Sequence, residues 1–298
     1  MRRRESGALL LTVALLLAIV AALALGLQHA AGMDTRSVAS DYERRNAAYL
    51  AQAAVAAAKW SRQLNSCNSG GIANFSFSGA TLSVTVRGDK TVDLVGTATL
   101  TPALAGTPPT SATLERDKVV LVDLGSREQK DLDPDLDTYL DKDNPTTSQN
   151  TSSSLVLTSS KSNALIRFKE KDVPPNSEVV SAILYLTQNG GSATARQVDV
   201  HRVSTAWDGS ATWLRAGPGA TWNGGDYTAT PIVSAQVGGA GSYQWDVTGL
   251  MDGWVSGRVA NNGLLLRLPA PGQSATFYSR DPKTSLSPFL RVTFMKPC

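Results

Sequence analysis

Three hydrophobic rhythms follow one another along the 298 residues of the chain. The first is unbroken: Ala8–Leu27 runs for 20 residues without a charge. At ~1.5 Å rise per residue a helix of that length spans ~30 Å, one crossing of a bilayer. The second has a helical period. In the alanine-rich stretch Val38–Leu64, the residues Tyr42, Tyr49, Ala53, Ala56 and Trp60 recur at steps that bring them to one helix face. Alanine is the strongest helix former, and no proline occurs before Pro102. The pattern therefore predicts one helix over Ala8–Leu64, ~85 Å long, with weak points at Gly26 and Gly32. The run Asn65-Ser66-Cys67-Asn68-Ser69-Gly70-Gly71 stops it, because Gly and Asn tolerate positive φ and Ser and Asn compete for helical hydrogen bonds.

The third rhythm has a period of two. Leu82, Val84 and Val86 alternate with Thr81, Ser83 and Thr85, and a similar run covers Val92 to Leu100. Arg87-Gly88-Asp89-Lys90 reads as the hairpin turn between them, and Lys118–Val122 as a further strand. About four strands are expected in Phe75–Leu124. From Asp137 to Phe294 eight short runs follow: 155–157, 164–168, 179–186, 198–203, 243–247, 263–268, 276–279 and 289–294. Val173-Pro174-Pro175-Asn176, Asn189-Gly190-Gly191 and Asn261-Asn262-Gly263 punctuate them. Short strands so interrupted predict an all-β sandwich of jelly-roll type. Thr248–Gly257 is the one helical turn in this part, with Leu250, Trp254 and Val255 covering a sandwich edge.

Charge adds topology. Arg2, Arg3 and Arg4 precede the apolar run and hold the N-terminus in the cytoplasm, so the remainder is exported. Three readings of the start stay open: a cleaved signal peptide, a plain anchor, and an anchor with a processed leader. The net charge of +3 is mild, and no Lys/Arg cluster is interleaved with aromatics, which argues against nucleic acid as a partner. The two cysteines, Cys67 and Cys298, lie on the exported side, where two cysteines usually pair, and a Cys67–Cys298 disulfide is expected.

The basic leader Arg2-Arg3-Arg4-Glu5-Ser6-Gly7, the run Ala8-Leu9-Leu10-Leu11 and the helix segment Tyr49-Leu50-Ala51-Gln52-Ala53-Ala54 together resemble the N-terminal region of the type IV pilin superfamily. The resemblance covers Met1–Leu64. It implies a prepilin peptidase cut between Gly7 and Ala8, retention in the inner membrane, and packing of the helix among other pilin subunits. Major pilins carry Glu at the fifth mature position; here that position is Thr12. A carboxylate buried among apolar helices is costly unless paired. Its lack points to a minor subunit at a filament tip, or to a pseudopilin of a secretion machine.

A second resemblance covers about the last 155 residues. Asp137-Thr138-Tyr139-Leu140, Ala164–Phe168 with Val173-Pro174, Val179–Leu186, His201-Arg202-Val203, Trp207, Ala211-Thr212-Trp213, Trp245-Asp246-Val247-Thr248, Trp254-Val255, Asn261–Leu266, Phe277-Tyr278-Ser279-Arg280 and Pro288–Val292 occur in the order of DNRLRE-type β-sandwich modules. Such modules are non-catalytic, and some are similar to carbohydrate-binding modules. The expected fold class is an α+β pilin-like part, a long N-terminal helix with a small antiparallel sheet, followed by the jelly roll. The expected divisions are leader 1–7, helix 8–64, sheet 65–125, acidic linker 126–136 and sandwich 137–298.

Candidate chemistry is sparse. His201 is the only imidazole remote from the apolar run, and it sits in an alternating strand-like stretch. No Gly-x-Ser-x-Gly, His-Glu-x-x-His or phosphate loop occurs, so no enzyme is expected. Asp137, Asp141 and Asp143, in a run of alternate aspartates, are weak candidates for a structural Ca²⁺, although no EF-hand spacing is present, and no other cofactor is expected. Trp213, Trp222 and Tyr227, with Asp226, fall in a glycine-rich span and form the candidate ligand site, since sugars stack on exposed rings beside polar groups. The competing assignment for these rings is core packing. The function expected is a minor, tip-type pilin subunit displaying a sandwich that binds a polysaccharide or another surface, located in the inner membrane before assembly and at the pilus tip after it. A secretion pseudopilin and an unpolymerised periplasmic tether are the alternatives.

Overall fold

The computed structural model describes residues 35–64, 66–68, 74–77, 80–87, 91–101, 108–191, 193–281 and 283–298. The expected leader 1–7, the expected cut between Gly7 and Ala8, Thr12 and the apolar run Ala8–Leu27 lie outside them, as does the expected turn at 88–90. Among the described residues no helix is long and apolar enough to cross a membrane. The chain forms two compact units, 1–119 and 120–298.

The first unit contains helix α1, Thr35–Leu64, and strands β1 (Asn74–Phe77), β2 (Ala80–Arg87), β3 (Thr91–Leu100) and β4 (Thr110–Val120) in the sheet order β1-β2-β3-β4. The stripe that α1 buries is Ala47, Leu50, Ala51, Ala54, Val55 and Ala58. It meets Ala80, Leu82 and Val84 of β2 and Ala98 and Leu100 of β3. The small residues let backbones approach. A Cβ at Gly96 in β3 would lie 2.6 Å from Val55 Cγ2 and 2.7 Å from the Ala51 carbonyl oxygen. The aromatic stripe read from the sequence is a different face: Tyr49 is 61% exposed and Trp60 half-buried. Alanine, not the larger rings, faces the sheet because only small side chains fit so close a helix–sheet contact. Past Leu64 the chain turns at Ser66 and Cys67, both at positive φ (50° and 65°), with the Cys67 amide donating to the Arg62 carbonyl.

The expected fold class is corrected here. A 57-residue helix heading an α+β, pilin-like part is not what the described chain shows: α1 is 30 residues, and strands dominate the rest. Period-two alternation of β-branched and polar residues runs through most of the sequence after α1, and it outweighs one alanine-rich segment.

The second unit is almost entirely β. Its strands are β5 (Glu128–Leu132), β6 (Pro134–Asp141), β7 (Ser154–Thr158), β8 (Ser162–Phe168), β9 (Glu178–Gly191), β10 (Arg196–Arg202), β11 (Arg215–Gly217), β12 (Ala220–Thr221), β13 (Val233–Val237), β14 (Gly241–Asp246), β15 (Leu264–Arg267), β16 (Ser274–Tyr278) and β17 (Phe289–Met295). Helix α2, Thr248–Val255, follows β14. Strand order is β13-β10-β15-β8-β7-β16-β9-β17-β5, with β6 added on β8 and β14 on β9. The β7–β8 step is a hairpin joined by the single pair Thr158↔Ser162, where the path folds over.

The inward faces of the two halves meet in one core. Ala164, Ile166, Phe168, Val198, Val200, Leu264 and Leu266 come from one half. Leu155, Leu157, Ala182, Leu184, Trp245, Phe277, Leu290, Val292 and Phe294 come from the other, and Leu250, Trp254 and Val255 of α2 join them. This all-β arrangement accords with the expected sandwich. The stretch 126–136, read as an acidic linker, instead forms β5 and the start of β6. The alternate aspartates from 131 to 137 meet separate cations: Asp131 with Arg291, Asp133 with Lys283, Asp135 with Arg167 and Asp137 with Arg280.

Both cysteines are disulfide-bonded and none is free, so with two in the sequence the bond is Cys67–Cys298, as expected. Such a bond belongs to an oxidising, extracytoplasmic compartment.

Candidate functional site

The outward face of the β6–β8–β15–β10 half is not bare. Strand alternation sends Leu140, Leu165 and Leu265 outward, and the long excursion 203–228 folds over them. Trp207, Ala211, Trp213 and Ala216 fill this second core, with Leu136, Ala220, Trp222 and Tyr227 at its margin. The excursion holds its shape through the indole N–H groups. Trp207 Nε1 donates to the Asn262 carbonyl at 2.8 Å, Trp213 Nε1 to Asn223 Oδ1 at 2.7 Å, and Trp222 Nε1 to the Thr212 carbonyl at 2.7 Å. Gly224, at φ +78°, lies flat against the Trp213 ring: a Cβ there would be 2.6 Å from Cζ2.

The four candidate ligand residues therefore have different fates. Trp213 is 8% exposed and offers no open ring face; it pins the loop, because Leu165 and Leu265 need a cover. Trp222 and Tyr227 are half-buried. Asp226 is exposed, and its carboxylate accepts the Thr205 hydroxyl. Tyr227 is occupied as well. Its hydroxyl accepts from Arg267 Nη1 at 3.0 Å, the Arg267 guanidinium sits 5.6 Å from its ring centre, and its ring stands edge-on to His201.

What remains open is the rim of the excursion. A concavity of about 480 Å³ is lined by Thr146, Ser210, Thr212, Leu214, Arg215, Gly217 and Pro218. Beside it Asp208 accepts the Ser210 amide at 2.8 Å and the Ser210 hydroxyl at 2.6 Å, and these bonds hold its carboxyl below the ordinary range. A Cβ at Gly217 would collide with that carboxylate at 2.8 Å. Leu214 is 42% exposed and Arg215 is exposed. Hydroxyls, a cation and the apolar Leu214 and Pro218 around a depression suit a polar, hydroxylated ligand. Arg215 and Leu214 carry no motif in the sequence; only the turn that pairs β11 with β12 brings them to the rim.

The carboxylates proposed for Ca²⁺ do not converge. Asp137 is 1% exposed; it accepts the Arg280 amide at 2.7 Å and faces its guanidinium. Burial drives its carboxyl up to about 6, against the lowering pull of the Arg280 amide and charge. Asp141 accepts the Asp143 amide and the Asn144 side chain, and Asp143 pairs with Lys161 at 2.7 Å. Among the described residues no group of three metal-ligating side chains gathers. Asp137, Asp141 and Asp143 each already have a cation or an amide as partner, so their oxygens are spent separately within the fold and not gathered toward one ion.

His201 is 2% exposed, and its Nδ1 lies 2.7 Å from the Thr228 carbonyl oxygen, which makes Nδ1 the donor. Neither protein-family models nor curated proteins match this chain.

Proposed function

We propose that the chain is an exported, N-terminally anchored protein that displays its C-terminal β-sandwich as a non-catalytic binding module. The observation that carries this reading is how the sandwich spends its polar groups. Its imidazole, the buried carboxylates of Asp137 and Asp199 and its three loop indoles are all tied to structural partners, while Arg215 and Thr146 stand exposed around the rim at Ser210–Pro218. The rim is the surface for a polar, hydroxylated partner such as a polysaccharide. In the narrower form, the leader is removed after Gly7 and the protein joins a type IV filament as a minor, tip subunit, leaving the inner membrane for the cell exterior. Thr12 supports this form, since a subunit with no neighbour above it needs no carboxylate there.

Two measurements test it. The mature N-terminus, read by mass spectrometry from the native host, should be Ala8; a start at Met1 refutes processing, and a start beyond Gly26 refutes the anchor. Retention on immobilised polysaccharides should fall at least tenfold in Arg215→Ala/Leu214→Ala with the fold unchanged, about 1.4 kcal/mol. Unchanged retention removes the rim as the binding surface.

A further inference from the structure

Residues 226–232 form a strap along the end of β10. Three backbone hydrogen bonds hold it: Ser204 N–H to the Asp226 carbonyl at 2.8 Å and Thr228 N–H to the Arg202 carbonyl at 3.0 Å, which flank the bridge between Val203 and Tyr227, and Ile232 N–H to the Val200 carbonyl at 2.7 Å. Three side chains complete the attachment, one of them the Thr205 hydroxyl, which donates to the Asp226 carboxylate. His201 donates from Nδ1 to the Thr228 carbonyl, and Arg267 of β15 donates to the Tyr227 hydroxyl. The strap is otherwise exposed at Ala229, Thr230 and Ile232. With Arg202, Gly249 and Leu250 its residues 228–232 line a depression of about 600 Å³.

The attachment has one weak element. His201 is buried, yet its Nε2 has no hydrogen-bond partner. In the neutral ring that nitrogen is an uncharged lone pair, with Tyr227 edge-on and 4.9 Å away between ring centres, and it costs less to leave unpaired than a charge would. In the protonated ring it becomes a charged N–H donor with no acceptor at hydrogen-bond distance, the Thr230 backbone giving only the smallest pull toward the charged form, and a poorly paired buried charge is among the most costly features a fold can carry.

We propose that His201 is an acid-sensitive latch on the strap 226–232, closed while its imidazole is neutral and opened when protonation makes Nε2 a donor. The charged groups around it are Arg267 on β15, Asp199 and Arg202 on β10, and Asp226 on the strap. Arg267 lies opposite Asp199 in the β10–β15 register and opposes a second cation. Asp199 favours the cation, but its Oδ1 already accepts from Gln197 and Ser234. Burial is the largest influence and holds the ring below its ordinary 6.5; the Thr228 backbone pulls the other way, and the Thr230 backbone only weakly. The sign follows. A histidine held below its unfolded value stabilises the closed strap fully above about pH 6.5, and that stability is lost as pH falls toward the folded value. Opening releases Tyr227 from the margin of the second core and widens the depression at Leu250.

The test is hydrogen exchange of the full-length protein, corrected for intrinsic rates, at about pH 7.5 and about pH 5. Protection of the strap amides of Thr228 and Ile232 is expected to fall by on the order of 10-fold at the lower pH. Amides of Ser162–Phe168 serve as the internal standard and should not change. In His201→Gln, which donates to the Thr228 carbonyl without titrating, the strap should stay equally protected at both pH values. The imidazole of the wild type, followed by NMR, should titrate together with the opening. Strap protection independent of pH, equal acid opening in His201→Gln, or a His201 titration not accompanied by strap exchange would each overturn the latch. The rim, the leader and the display reading are not involved, so these outcomes leave them untouched.

Discussion

Replacing Asp137 by Asn isolates the pH dependence of one buried carboxylate. Asp137 on β6 is 1% exposed and faces Arg280, in the connection between β16 and β17. Its carboxyl is driven from 3.8 to about 6, chiefly by burial. At ~1.36 kcal/mol per unit that displacement is worth about 3 kcal/mol. Because the folded value lies above the unfolded one, the native state holds a proton that the unfolded chain has released between about pH 4 and pH 6. The contribution is therefore fully present below about pH 4 and lost as pH rises through about 6. Asn keeps the shape and does not titrate. Urea unfolding followed by tryptophan fluorescence suits the measurement, since five of the six tryptophans lie in the second unit. The stability of Asp137→Asn minus that of wild type should rise by up to about 3 kcal/mol from about pH 4 to about pH 7. Taking the difference cancels carboxylates of opposite sense, such as Asp131, which Arg291 holds low, and Asp208, held low by Ser210. A difference that is flat, or that falls with pH, would show that the Arg280 charge outweighs burial and would refute the reasoning.

Other substitutions probe the packing. Gly263→Ala should cost roughly 2–4 kcal/mol in thermal or urea unfolding, because Gly263 sits at φ +80° and its Cβ would lie 2.5 Å from the Ile166 carbonyl oxygen. Gly96→Ala should destabilise the first unit by roughly 1–3 kcal/mol, read by helix circular dichroism, since α1 must shift away from β3 to admit the methyl. Trp213→Ala should remove about 3 kcal/mol and raise proteolysis within 203–228, while leaving β9 and β17 protected; a wild-type digestion pattern would contradict its place in the second core. On a non-reducing gel the protein should run faster than after reduction, and a Cys67→Ser/Cys298→Ser variant should lose that difference.

Much of the second unit was legible. The runs at 155–157, 164–168, 179–186, 198–203 and 289–294 fall within or largely within β7, β8, β9, β10 and β17, because alternation is a local consequence of one face being buried. The acidic segment was misread for the opposite reason. Aspartates at every second position look solvated when only neighbours are considered, and the cations that let β5 and β6 form lie elsewhere: Arg280 is 143 residues from Asp137, and Arg291 is 160 from Asp131. The helix face was misassigned because Tyr49 and Trp60 are the larger apolar groups, whereas Gly96 sets how close α1 comes and so selects alanine.

The candidate site divides the same way. Composition and local pattern alone reached the pairing of the two cysteines and the clustering of tryptophans in a glycine-rich span. Whether those rings faced a ligand or a core was outside their reach. It depends on Leu140, Leu165 and Leu265, three residues from three strands that sheet pairing brings to one outward face and that Trp207 and Trp213 then cover. Burial of a side chain is set by what lies opposite it, and in a sandwich that is a strand far away in sequence; hence periodicity locates the faces, and only the folded chain says what each face meets.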